Sequence, residues 1–125
     1  MEPREAILCV DDEAIILLDL VNSLRQHFGD RFRYEMALSA TEGLRKIEEL
    51  LASGIKVVIV ISDYFMPKMN GGEFLTKVSQ EYPDIHAIMI SGHTNKMVMD
   101  EIPTVAFFPK PLDTNELLKH IEKLF

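Results

Sequence analysis

The sequence predicts an α/β fold, a doubly wound five-stranded parallel sheet with helices on both faces. Three observations predict it. Apolar runs alternate with helical patterns five times along the 125 residues, as in a chain of strand–helix–strand units. The third run, Val57-Val58-Ile59-Val60-Ile61, is apolar without a break, as expected of a strand buried on both faces. Chemically active residues stand directly after four of the runs: Asp11 and Asp12, Asp63, Ser91 and Lys110. Open parallel sheets bind their ligands beyond the carboxyl ends of the strands, so these five side chains are expected at one edge.

The elements follow in order. The first strand is about Ala6 to Val10. A helix from about Ala14 to His27 places Leu17, Leu20, Val21, Leu24 and Phe28 on one face. A short second strand lies near Arg33 to Ala37. Ser39-Ala40-Thr41-Glu42 has the spacing of a capping box and opens a helix through Leu44, Ile47 and Leu51 that stops near Gly54. After the third strand, a loop from Tyr64 to Gly71 leads into a helix carrying Phe74, Leu75, Val78 and Tyr82. The fourth strand is near His86 to Ile90. A short helical stretch from about Asn95 to Glu101 precedes Pro103, and the fifth strand is near Thr104 to Phe108. Asp113 caps the last helix, in which Leu117, Leu118, Ile121 and Leu124 are apolar.

Composition narrows the function. The length suits one domain, and 47% hydrophobic with 26% charged residues reads as globular. The single cysteine, Cys9, lies in an apolar run and reads as an inert buried thiol. No apolar stretch reaches membrane-spanning length, and the start lacks the plan of a signal peptide, so the expected compartment is the cytoplasm. A net charge of -7 disfavours direct nucleic-acid binding.

Three carboxylates gathered at one sheet edge would repel one another and push their pKa values upward. A hard divalent ion such as magnesium, which takes oxygen ligands and sits beside phosphates, relieves that repulsion. Lys110 adds a compact cation and Ser91 a hydroxyl. Together these groups describe a place where a carboxylate accepts a phosphoryl group.

At these residues the chain resembles a known family. Val10-Asp11-Asp12-Glu13, then Ser62-Asp63-Tyr64-Phe65-Met66-Pro67-Lys68-Met69-Asn70-Gly71, then Ser91-Gly92, then Lys110-Pro111 are similar to the receiver domain of bacterial two-component response regulators. The resemblance covers the whole chain, residues 1–125 as one receiver domain with no output domain. It implies the flavodoxin-like strand order 2-1-3-4-5. It also implies Asp63 as phosphoacceptor, Asp12 and the Phe65 backbone carbonyl as ligands of Mg2+ (or Mn2+) alongside Asp63, and Asp11 acting through bound water. Lys110 would contact the phosphoryl group and precede a cis peptide. Ser91 and Phe107 would form the switch pair. The implied partners are a histidine kinase or phosphotransfer protein as donor and a downstream protein as target, with no membrane, and a weak or phosphorylation-dependent homodimer is compatible with it. The only reactions implied are the domain's own phosphorylation and dephosphorylation, so it is not expected to be an enzyme toward outside substrates.

Some residues depart from the pattern. The span from Ser91 to Lys110 is short, and Glu101-Ile102-Pro103-Thr104 replaces the usual small-residue turn, so a short or displaced fourth helix is expected. Pro109 lacks a backbone donor, which an edge strand tolerates. Phe65 and His93 stand two past Asp63 and Ser91, where side chains of the family tune hydrolysis. Phe65 is expected either to shield a phosphoryl group or merely to pack on its loop. Met89, Met97 and Met99 read as core fillers, and His27, His86 and His120 as ordinary helix or strand residues. Ile15, Ile16 and Leu18 widen the apolar stripe of the first helix, with Ile15 a candidate kinase contact. A simpler account makes Asp11 and Asp12 helix caps and Asp63 a turn residue, leaving Ser91 and Lys110 unexplained. Two other functions compete: a phosphate-independent interaction module, and a phosphohydrolase of the haloacid dehalogenase type. The latter needs an acid two residues past its nucleophile, where this chain has Phe65.

Overall fold

In the computed structural model, which describes residues 3–92 and 105–125, five parallel strands form one sheet in the order β2-β1-β3-β4-β5. The strands are β1 (Glu5–Val10), β2 (Arg33–Ala37), β3 (Lys56–Asp63), β4 (His86–Ser91) and β5 (Ala106–Pro109). The helices are α1 (Ala14–Phe28), α2 (Ala40–Ala52), α3 (Gly71–Glu81) and α4 (Thr114–Leu124). The doubly wound fold and its strand order are thus as the sequence implies. The expected helical stretch from Asn95 to Glu101, the turn at Pro103, His93, Met97 and Met99 lie outside the described residues.

The local rules act where they are expected. Ser39 caps α2 through the Glu42 amide, Asn70 caps α3 through Glu73, and Asp113 caps α4 through Glu116. A single 3-10 turn at Gly29–Arg31, not foreseen, joins α1 to β2, with Gly29 at φ 55 ending the helix. β3 runs two residues further than its apolar core, to Asp63 itself. Among the described residues β5 is Ala106–Pro109, ending one residue past Phe108 (the expected start, Thr104, lies outside them), and Pro109 stands on an edge strand.

Two apolar layers enclose the sheet. Ala6, Leu8, Val10, Val57 and Val60 pack with Ile47 and Leu50 of α2 and Phe74, Leu75 and Val78 of α3. Ile7, Cys9, Val58, Ile59 and Ile61 pack with Leu17, Val21 and Leu24 of α1 and Leu117 and Ile121 of α4. Met89 is a core residue, and burial pushes the Cys9 thiol up to about 12, so it stays protonated and inert.

One irregularity positions the site. Ala6 pairs with Val57, but Ile7 pairs with Ile59, so Val58 is an extra residue in β3. Val58 and Ile59 therefore both enter the α1/α4 layer. The alternation beyond them is reset, and Val10 pairs with Ser62. The next residues, Asp11 and Asp63, share one phase of the sheet. With an unbroken register Asp11 would have stood beside Ser62.

Candidate functional site

The carboxyl edge of the sheet gathers the acids. Ligand oxygens of Asp11, Asp12 and Asp63 all lie within 4.8 Å of one another. Asp11 and Asp63 are buried, at 6% and 5% exposure, whereas Asp12 faces solvent. Asp11 is not a helix cap: the cap position of α1 is Glu13, which makes no side-chain cap bond. Instead the Asp11 carboxylate accepts the Glu13 amide at 2.9 Å, which fixes the turn between β1 and α1.

Lys110 reaches the same point from β5. Its Nζ lies 2.7 Å from Asp63 Oδ1. Among the described residues no other donor reaches the buried Oδ1. Burial works against the Lys110 charge. The Asp63 carboxylate, with Asp11 and Glu13 behind it, more than offsets this and holds the lysine pKa above its usual value. At Asp11 burial also dominates. Together with the Asp63 and Asp12 charges it outweighs the Glu13 amide and Lys110, and raises the carboxyl to about 6.

A buried carboxylate oxygen with no donor besides Lys110, next to an acid whose pKa is raised by burial and by its acidic neighbours, fits a divalent cation. The oxygen-rich donor set suits a hard ion such as Mg2+. An acidic pocket of this kind holds Mg2+ in receiver domains.

The other expected residues are placed as follows. Ser91 ends β4 and is buried, and its carbonyl accepts the Lys110 amide at 2.8 Å, tying the ends of β4 and β5 together. The Lys110–Pro111 peptide is cis. Phe107 is half-buried against the α2/α3 layer. Phe65 is 56% exposed, its ring edge-on to Tyr64 with centroids 4.9 Å apart. Ile15 (79% exposed), Ile16 and Leu18 lie open on α1, so the wide stripe of that helix exceeds what the core covers.

Sequence reasoning missed a cavity of about 310 Å3 beside the acids, under α1 and the chain that follows β5. Ile16, Asp19, Leu20 and Ser23 line it with Asp63, Lys110 and Leu112. The signal was present in α1, since Ile16, Asp19, Leu20 and Ser23 stand three and four apart and share a helix face.

A family model described as the response regulator receiver domain matches residues 7–122. The sensor kinase CckA of Brucella abortus is 31% identical over 121 residues, 94% of this chain and 12% of that protein. The response regulator Rre1 of Synechocystis is 28% identical over 117 residues, 90% of this chain and 48% of that protein. The chain thus spans less than half the length of these relatives. Among solved structures, a response regulator receiver domain protein from Clostridium thermocellum is similar with a TM-score of 0.80 at 28% identity, covering 95% of this chain and 92% of that one. A CheY-like receiver domain protein from Methanospirillum hungatei gives 0.79 at 29% identity, covering 95% and 91%. No helix among the described residues is long and apolar enough to cross a membrane. The acidic edge with its lysine, the strand order and the matched span lead to one conclusion: this chain belongs to the family of response regulator receiver domains, the signalling domains of two-component systems.

Proposed function

We propose that residues 1–125 act as one phosphorylation-controlled switch, in which Asp63 accepts a phosphoryl group from a phosphohistidine of a histidine kinase or phosphotransfer protein. The observation that carries this reading is the meeting of Lys110 Nζ with Asp63 Oδ1 at 2.7 Å beside Asp11 and Asp12. In this reading Asp12, Asp63 and the Phe65 backbone carbonyl would hold Mg2+ (or Mn2+), with Asp11 acting through bound water; the bound ion would supply charge neutralisation for phosphoryl transfer.

The chain's own groups do the rest. An Asp63 oxygen attacks phosphorus as the bond from phosphorus to the imidazole nitrogen breaks, and the imidazole leaves with the electron pair. Lys110 stays protonated because its acidic neighbours hold it so, and its ammonium moves from the carboxylate onto a phosphoryl oxygen. The product carries more negative charge and more acceptor oxygens than the carboxylate it replaces. The Ser91 hydroxyl is drawn to it, Phe107 repacks, and the face offered to a downstream protein changes. Self-phosphorylation and self-dephosphorylation are the only reactions in this scheme, and it operates in the cytoplasm.

Intact-mass spectrometry after treatment with acetyl phosphate and Mg2+ tests the proposal. Wild type should gain about 80 Da, one phosphoryl group in place of a proton, and Asp63→Ala should not. An unmodified wild type would favour the phosphate-independent module. Phosphate release from a generic phosphoester at enzymatic rates would favour the phosphohydrolase.

A further inference from the structure

The backbone carbonyl of Asp63 is crowded. The Ser62 hydroxyl donates to it at 2.9 Å. Gly71, the first residue of α3, presses against it from the other side. A Cβ on Gly71 would stand 2.2 Å from the Asp63 carbonyl oxygen and 2.9 Å from Tyr64 Cα. Carbon–oxygen contacts in proteins close only to about 3.3 Å, so any side chain at position 71 forces these groups apart by about 1 Å. The obstacle is backbone and has no flexible end to swing away.

This approach is built from both sides. The Gly71 amide donates to the Tyr64 carbonyl at 2.8 Å and closes the loop from Tyr64 to Asn70. The Tyr64 amide donates to the Ile90 carbonyl of β4 at 3.1 Å. Asn70 caps α3 by accepting the Glu73 amide at 2.9 Å, which orients the first turn of the helix against Asp63. The segment Asp63-Tyr64-Phe65 is thus held between the end of β4 and the start of α3. It carries both the phosphoacceptor and the Phe65 carbonyl assigned to the cation.

We propose that Gly71 is a positioning residue for phosphoryl acceptance: the space left by its missing side chain lets α3 lock the Asp63-Tyr64-Phe65 backbone at the depth where the Asp63 carboxylate and the Phe65 carbonyl share one cation. The inference rests on the reading of Asp63 as acceptor. It requires a folded Gly71→Ala protein to bind Mg2+ poorly, because both ligands shift together. Loss of such supporting contacts weakens metal affinity about 10- to 100-fold. A displacement of about 1 Å slows a positioned reaction by about 100-fold.

Three measurements test it on the whole chain: Mg2+ affinity by calorimetry, amide chemical shifts of Asp63 to Phe65 without metal, and the rate of the acetyl phosphate adduct. Leu24→Ala is the control. Leu24 is fully buried under α1, in the layer of Ile7, Cys9 and Val21, and does not line the cavity beside the acids. Leu24→Ala should lose stability and keep wild-type Mg2+ affinity, whereas Gly71→Ala should lose at least about tenfold in affinity, with shifted amides. If Gly71→Ala does not fold, Asn70→Ala decides. It loosens the cap without adding bulk at position 71 and should weaken Mg2+ binding severalfold. Wild-type affinity in a folded Gly71→Ala or, failing that, in Asn70→Ala overturns the inference. A wild type that takes no phosphoryl group overturns the reading of Asp63 instead, and the affinity comparison still decides the role of Gly71.

Discussion

Replacing Asp11 with Asn should stabilise the metal-free protein at neutral pH while removing most of what Mg2+ contributes. The Asp11 carboxyl is held at about 6 in the fold against 3.8 in the open chain, first by burial and then by the charges of Asp63 and Asp12. Each pKa unit corresponds to about 1.36 kcal/mol, so carrying this charge costs the fold about 3 kcal/mol once it is fully ionised. Because the folded value is the higher one, protonation favours the fold. The contribution is present in full below pH 3.8 and is lost as pH rises through about 6. Asn keeps an oxygen for the Glu13 amide and never ionises. Urea denaturation in EDTA should therefore show the two proteins equal near pH 4. At pH 8 the variant should be ahead by up to about 3 kcal/mol, or about 10 °C in Tm for a domain of this size. Saturating Mg2+ should then lift wild type, by about 2.7 kcal/mol at a hundredfold excess over Kd, and lift the variant far less. A variant no more stable than wild type at pH 8, or an advantage that does not shrink toward pH 4, would refute the account of a strained acidic cluster.

Other outcomes follow from particular contacts. Lys110→Ala removes the cation 2.7 Å from Asp63 Oδ1 and should slow acetyl phosphate labelling by at least about tenfold without unfolding the domain; mass spectrometry over a time course reads it. Phe65 is exposed two residues past Asp63, and if it shields the phosphoryl group from water, Phe65→Ala should shorten the lifetime of the adduct severalfold; an unchanged decay rate would leave it a loop-packing residue. Lys68 holds φ at 69 outside glycine's usual company, so Lys68→Val should cost about 1–2 kcal/mol by urea denaturation while Lys68→Gly should be close to neutral. Leu24→Ala empties a fully buried position under α1 and should cost about 2–5 kcal/mol with the Mg2+ affinity of the folded protein intact.

The sequence by itself determined the layers and the chemistry. Period-two and period-3.6 apolar patterns follow from which faces must leave water, so β1, β3, α1 and α2 were legible to within a residue or two. The residues after each run were legible as a site because parallel strands end at a common edge. Only the tertiary structure decided the distances and phases. The extra residue Val58 brings Asp63 into step with Asp11, yet an unbroken run of β-branched residues carries no mark of where a bulge will fall. The fit of Gly71 onto the Asp63 carbonyl is likewise invisible in a string of letters, since it depends on where a helix eight residues later returns. Neither the raised pKa of Asp11 nor the pairing of Asp63 Oδ1 with Lys110 belongs to one residue; the first arises from burial and then from the Asp63 and Asp12 charges, the second from the ends of two separate strands meeting at one edge.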